Sequence, residues 1–394
     1  MKRRLFCLLL ALLPVACARQ PALSPTASPS PAQYAHEQEH GAKIDDQIRE
    51  MESRIKANPA DWVSLALLAR LHLEMAEESP KDWALAEKAA MMSLSIRPTR
   101  NSEAMLAVAG VRFQQGQYPL VVRICQQMAA SPEAPRLAVR ALLAQGKVHE
   151  AAQWTERALK SQNDAYSLTL AAHVSVAGGR DDIAQQLLKA ARQVEQPKQR
   201  DVSADLRALW GDLLRRHGKI QEAREMLESS LTIQRRNVPA LRALARLELD
   251  QGNPKAALET LRQAEALTHG PRLQLEIAAL EPDHADEWIK KAEPLLQGVE
   301  RAPLLLLQNK PAEALKLLKE QEKSGANWEN YRLQAQAYQQ LKQPAQALQA
   351  YDKALAQGYL DPLLLRPALD LARAQKDQKR AAAFELKLNS LKSN

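Results

Sequence analysis

Gly218-Lys219-Ile220-Gln221-Glu222-Ala223, followed seven residues later by Ser230, is the stretch on which the reading of this chain turns. The arrangement recurs at Gly116-Gln117-Tyr118-Pro119-Leu120-Val121 with Met128, and at Gly146-Lys147-Val148-His149-Glu150-Ala151 with Ala158. It recurs again at Gly179-Arg180-Asp181-Asp182-Ile183-Ala184 with Ala191, and at Gly252-Asn253-Pro254-Lys255-Ala256-Ala257 with Ala264. Successive glycines lie 30, 33, 39 and 34 residues apart. Two later copies lack the glycine: Asn309 leads to Ala314, and Lys342 leads to Ala347 and Ala354.

Physical chemistry gives the pattern one meaning. Glycine adopts the left-handed conformation that ends a helix and opens a short turn. The next helix then packs back antiparallel, and a small residue stands where the two axes approach most closely. Large-then-small pairs precede the turns, as Trp210-Gly211 before Gly218 and Leu244-Ala245 before Gly252. Pro98, Pro239 and Pro362 close units. Composition agrees: Gly is scarce among the 394 residues and aromatics are only 4%. Ala, Leu, Gln, Glu, Lys and Arg enter helices at little cost, while sheets draw on β-branched and aromatic residues.

With its period near 34 residues, this pattern resembles the tetratricopeptide repeat. The resemblance runs from Asn58 to Pro362, with the fullest copies at Ala204–Arg236, Val238–Leu267 and Trp328–Pro362. In the last, Tyr331, Tyr338, Ala347, Tyr351 and Ala354 fall at signature positions. The first copy, Trp62–Pro98, carries an insertion around Glu77–Lys81, and the copies near Pro271–Leu296 and Val299–Ser324 are short and degenerate. The resemblance implies an all-α, right-handed α-α solenoid of about nine helix hairpins. Before it, within 34–57, Ile44, Ile48, Met51 and Ile55 form a one-sided stripe that predicts a single helix. After it, residues 363–394 mix Leu364, Leu365, Leu369, Phe384 and Leu388 with charge, as a terminal helical cap requires.

The start of the chain reads as an export signal over residues 1–17. Lys2, Arg3 and Arg4 precede the apolar run Leu5–Leu13, which is too short to span a bilayer. Leu13-Pro14-Val15-Ala16-Cys17 resembles a bacterial lipobox, with Pro14 where the family has Leu. That resemblance implies lipidation of Cys17, and Ala18 after it implies sorting to the outer membrane. Ala16-Cys17-Ala18 equally fits an ordinary small-x-small cleavage site. The Pro/Ser/Ala-rich residues 18–33 form a tether with no capacity for a core. The expectation is a periplasm-facing lipoprotein of the bacterial envelope; a cytosolic protein with an unprocessed apolar start is the competing reading.

Of three cysteines only Cys125 lies in the repeats, so no internal disulfide is expected there, and it reads as a buried hydrophobe. Three of 54 basic residues leave with the signal against 46 acidic ones, a mixed surface rather than a nucleic-acid footprint. His36-Glu37-Gln38-Glu39-His40 fits the H-E-x-x-H pattern of zinc hydrolases. It is wholly polar, follows the tether at once and precedes Gly41, so it lacks the shaped, dry cavity such chemistry needs. No enzyme, metal, cofactor or small-molecule substrate is expected.

The resemblance implies that the first helix of each hairpin lines a concave groove. Alignment on the turns puts Arg70, Arg140, His173 and Arg246 at one groove position, and Arg136, Arg242 and Arg332 one helical turn earlier. Phe113, with Leu73, Leu143, Val176 and Leu249, supplies apolar contact. Arginine pairs bidentately with carboxylates, so the expected partner is a protein segment that is acidic or carries a free C-terminus. The alternative is that the arginines pair with near neighbours, Glu133 with Arg136 or Arg246 with Asp250. The groove asparagine of the carboxylate-clamp subtype is absent. The function implied is a protein-binding scaffold or assembly factor. A structural part or pilot of a secretion, pilus or polysaccharide-export machine stands beside it. So does a chaperone of c-type cytochrome maturation, because Gln47–Leu71 is similar to the periplasmic repeats of those maturation factors.

Overall fold

The computed structural model describes residues 37–75, 81–128, 131, 133–268, 270–296, 298–324, 326–358 and 360–393. The signal and tether, Cys17, His36 and most of the insertion in the first copy lie outside them. The architecture is all-α. A leading helix α1 (Glu37–Ala57) is followed by α2 (Trp62–Met75), α3 (Lys81–Ile96), α4 (Ser102–Gln114), α5 (Tyr118–Gln127), α6 (Ala134–Ala144) and α7 (Val148–Ser161). Next come α8 (Ala165–Ala177), α9 (Asp181–Gln193), α10 (Arg200–Arg216), α11 (Ile220–Ile233), α12 (Val238–Asp250) and α13 (Pro254–Thr268). The short helices α14 (Pro271–Leu280), α15 (Ala285–Ala292) and α16 (Ala302–Leu307) are joined by 3-10 turns, one before α15 and two after it. The chain then runs through α17 (Pro311–Ser324), α18 (Trp328–Gln340), α19 (Pro344–Ala356), α20 (Pro362–Ala374) and α21 (Gln378–Ser393).

One turn is used throughout the array. Gly116, Gly146, Gly179, Gly218 and Gly252 have φ between 68° and 79°. Each ends its helix in a Schellman motif; at Gly146 the bonds are Gly146 N–H to Leu143 O at 2.9 Å and Lys147 N–H to Leu142 O at 2.9 Å. Asn309 and Lys342 make the same bonds at φ 56°, so the expectation for the two copies without glycine holds. Lys376 does so at φ 57°, so the C-terminal capping helices α20 and α21 form a hairpin of the same geometry. At the other end of the hairpins, Asn101, Asp164, Asn237, Asn327 and Asp361 cap the following helix through their side-chain oxygens.

The small residues do what the pattern requires. Ala151, Ala184, Ala223, Ala257, Ala314 and Ala347 are wholly buried, and so are their partners Ala191, Ser230, Ala264 and Ala354. Ser230 is accommodated because its hydroxyl donates to Ala204 O at 2.7 Å. Within α1, Ile44 and Met51 are buried and the helix packs on α2. First helices of neighbouring hairpins touch (α2 with α4, α6 with α8, α8 with α10, α10 with α12), so they form the inner layer and second helices the outer one.

Two glycines separate the physical reasons for the residue. At Gly211 in α10 a Cβ would stand 2.6 Å from Leu227 Cγ and 3.2 Å from Ala223 O, so the close helix approach demands glycine. Around Gly252 a Cβ would meet nothing within 4 Å, and only its φ of 79° favours glycine. Gly211→Val is therefore expected to cost about 1–3 kcal/mol through overpacking. Gly252→Ala is expected to cost only about 1–2 kcal/mol from the left-handed backbone. Urea unfolding midpoints of the two variants measure both.

Candidate binding groove and the seam beside it

Counting back from each turn places side chains on the inner layer in register. Six residues before it stand Gly110, Arg140, His173, Asp212 and Arg246; ten residues before it stand Arg136, Arg242 and Arg332. These arginines stand on first helices, and they do not form a uniformly basic strip. Arg136 pairs with Asp164, the N-cap of α8, at 2.6 Å and lies over the Tyr166 ring at 4.8 Å. Arg140 lies over Phe113 at 5.0 Å, and Phe113 meets Tyr118 edge-on at 5.3 Å. Arg242 binds Glu276 through two nitrogens. Arg246 approaches Asp212 at 4.0 Å. Arg70, half-exposed on α2, reaches Glu74 at 3.5 Å and Glu103 at 3.4 Å. Where sequence offers Glu133 to Arg136 and Asp250 to Arg246, the stacking of helices also brings in Asp164 and Asp212 from neighbouring hairpins.

Acids that sequence reading missed stand on the same helices or beside them. Asp205 and Asp212 on α10, Glu276 on α14 and Glu329 on α18 stand among them. Burial works against ionised Glu276, but Arg242, Arg246 and Arg272 hold it below its ordinary value. Burial likewise opposes Glu329, which Arg272 at 2.9 Å and then Arg332 hold down. Asp205 goes the other way: burial pushes it up, against Asn237 and Arg140. His173 is pushed down to about 4, first by burial and then by Arg140, with Asp212 opposing. At neutral pH the imidazole is therefore uncharged. Burial also pushes the Cys125 thiol up to about 12, which leaves it inert, as expected for a buried hydrophobe.

A second cluster, absent from the sequence reading, joins hairpins distant in sequence. Arg215, at the end of α10, is 0% exposed. It donates to Asp361 at 2.7 Å and 3.4 Å, to Asp250 at 2.5 Å and to Asp212 at 2.9 Å. Its neighbour Arg216 donates to Leu360 O at 3.3 Å and to Asp181 at 2.8 Å. Arg366 adds a bond to Asp250 O at 3.4 Å. The same meeting of distant segments recurs nearby. A Cβ on Gly179 would lie 2.5 Å from Gly358 Cα, and one on Gly146 would lie 2.6 Å from Asn327 Nδ2. Val176 packs on the hydrophobic cluster built from Tyr351, Leu355, Leu365 and Phe384. The third to sixth hairpins, through their turns, thus touch the ninth and tenth. Asp361 is held below its ordinary value by Arg215 against the cost of burial, as is Asp212 by Arg215 and Arg246. Asp250 lies above its ordinary value because burial outweighs Arg215.

Two outcomes follow from these environments. Arg215→Met strands three carboxylates in a buried site, and the expected loss is about 3–5 kcal/mol in denaturant unfolding. For His173, the unfolded imidazole takes up a proton below its usual pKa near 6.5, which the folded one refuses until about 4. Its contribution to stability is flat above that upper value and falls as pH drops from about 6.5 toward 4. Wild type should accordingly lose stability relative to His173→Gln across that window; parallel unfolding curves at pH 7.5 and 5 read the difference.

The described residues contain no group of three or more His, Cys, Asp or Glu placed to hold a metal, and no helix among them is long and apolar enough to cross a membrane. Cys17, where lipidation is expected, and His36 of the H-E-x-x-H pattern lie outside them, while Glu37 to His40 fall in the first turn of α1. Comparison with known proteins gives a match to the tetratricopeptide repeat model over residues 214–281. No curated protein matches the chain. Among solved structures, the chain is similar to one in the crystal structure of the APC/C hetero-tetramer Cut9-Hcn1. The identity is 14%, over 93% of this chain and 96% of that one, with a TM-score of 0.40. It is similar to the human IFIT1 dimer with m7Gppp-AAAA at 17% identity, over 73% and 71% of the two chains, with a TM-score of 0.45. The human IFIT1 dimer with PPP-AAAA gives 13%, 79%, 94% and 0.46 in the same order. These likenesses are too distant to bear on function. Residues 214–281 match the tetratricopeptide repeat, and the hairpins on either side share their turn geometry.

Proposed function

We propose that this chain is a non-enzymatic scaffold or assembly factor of the bacterial cell envelope. In this reading it is tethered through Cys17 and holds a segment of a partner protein in the groove of its first helices. A tetratricopeptide solenoid suggests protein interaction in general. The finer reading rests on one observation: Arg136 and Arg140 on α6, Arg242 and Arg246 on α12 and Arg332 on α18 stand at matched positions on first helices, counted from their turns. Those pairs that remain open to solvent contribute little, about 0–1 kcal/mol each. A partner segment with carboxylates at matching intervals exchanges for the internal acids at small cost and adds bidentate contacts. The partner is therefore an acidic stretch or a free C-terminus, entering a groove already formed.

The test is affinity capture from crosslinked membranes with wild type and with Arg136, Arg140, Arg242 and Arg246 changed to Glu. A parallel set changed to Gln guards against misfolding, and far-UV circular dichroism checks each variant. Loss of a discrete partner from both folded sets is the expected result. Unchanged capture would place the contact elsewhere, as on the outer face, where Leu85, Met91, Met92 and Ile96 of α3 are exposed.

A further inference from the structure

Three features set the seam between distant hairpins apart from the joints between neighbours. Neighbouring hairpins meet through buried Ala and Leu with ion pairs beside them, whereas the seam joins Arg215 to Asp361, Arg216 to Leu360 O and the main chains of Gly179 and Gly358, with Val176 as its apolar contact. Its contacts are directional: Arg215 and Arg216 reach residues more than a hundred positions away. Its glycines are there for proximity. Equivalent turn positions elsewhere carry Asn309, Lys342 and Lys376 at nearly the same φ, so the backbone alone does not require glycine at 179. The Gly358 main chain, which leaves no room for a Cβ, does.

A joint of this kind separates more readily than an apolar one, because water solvates each of its groups once it opens. It also touches the groove. Asp212 binds Arg215 of the seam at 2.9 Å and faces Arg246 of the groove at 4.0 Å. A solenoid whose successive turns are joined along one edge shuts the lateral gap through which its inner face would otherwise be reached.

We propose that the Arg215–Asp361 seam is a latch on the groove. The solenoid exchanges between a clasped form, whose third to sixth hairpins are held to the ninth and tenth, and an unclasped form open from the side. A carboxylate-bearing segment enters by the second. This inference rests on the groove reading for what enters, but not for the latch itself. By linkage, whatever fills the groove in the open form biases the latch, and the latch biases binding by the same factor.

The experiment uses the full chain with Gly146→Cys and Asn327→Cys. The ideal Cβ of residue 146 lies 3.9 Å from Asn327 Cβ, within the disulfide range. The lysines and asparagine at equivalent turns show that a side chain is tolerated there. The buried Cys125 thiol does not compete, and peptide mapping identifies the 146–327 link. Oxidation should close that link quantitatively. Adding Asp361→Asn removes the charge but keeps an equally good helix cap. It should slow closure about fivefold or more by lowering the clasped population, with helicity unchanged. Uptake of a fluorescein-labelled Glu/Ala dodecapeptide with a free C-terminus should be about tenfold slower in the oxidised protein than in the reduced one.

Absence of the link in the folded parent, closure as fast with Asp361→Asn as without, or equal peptide uptake by both redox forms would each overturn the latch. Failure of the peptide to bind any form would instead strike the groove reading, while the crosslinking rates still decide the latch.

Discussion

Everything in this molecule hangs on how closely two antiparallel helices can lie. The left-handed turn residue and its two Schellman bonds reverse the chain within a few residues. The axes can then come together only because alanine, serine or glycine stands at the crossing. Gly211 against Leu227 is the tightest instance: even one methyl group there collides with its neighbour. Repeating that joint with the same turn gives the array its regular register, and the register places every groove side chain. Where the joint shortens, at α14 to α16, first helices two hairpins apart come near enough for Arg272 to bind Glu329.

The electrostatics of the inner face follow from the same regularity. Stacked first helices put an arginine of one hairpin beside a carboxylate of another, so charges are paired between elements, as in Arg136 with Asp164 and Arg242 with Glu276. This keeps an inward-facing run of arginines from repelling itself and leaves it able to exchange partners. The seam uses the chemistry differently. Arg215 is buried with three carboxylates, so removing one side leaves uncompensated charge, while solvating all of them together is far cheaper.

The hairpin array was legible because its signals are local. Turn, spaced small residues and period all lie within one unit, which is why Asn309 and Lys342 could be recognised without glycine. Within the expected cap the turn at Lys376 went unread, although Ala381 stands at the matching distance. The capping residues Asn101, Asp164, Asn237, Asn327 and Asp361 carry a readable signal too, an Asn or Asp just ahead of a helical run. The partners of Arg136 and Arg246 were sought three or four residues away along the chain. Asp164 and Asp212 come from neighbouring hairpins instead, and Asp250, offered to Arg246, binds Arg215. The seam had no local signature at all. Arg215 and Asp361 are brought together by the accumulated curvature of the hairpins between them, which no window of sequence contains.

The central claim is that the hairpins form one solenoid closed on itself between its middle and its C-terminal end. Small-angle scattering from the wild-type protein in dilute solution tests it most directly. The account predicts a pair-distance distribution matching the clasped arrangement. A distribution extending well beyond that arrangement in an otherwise fully helical protein would contradict it and describe an open superhelix instead.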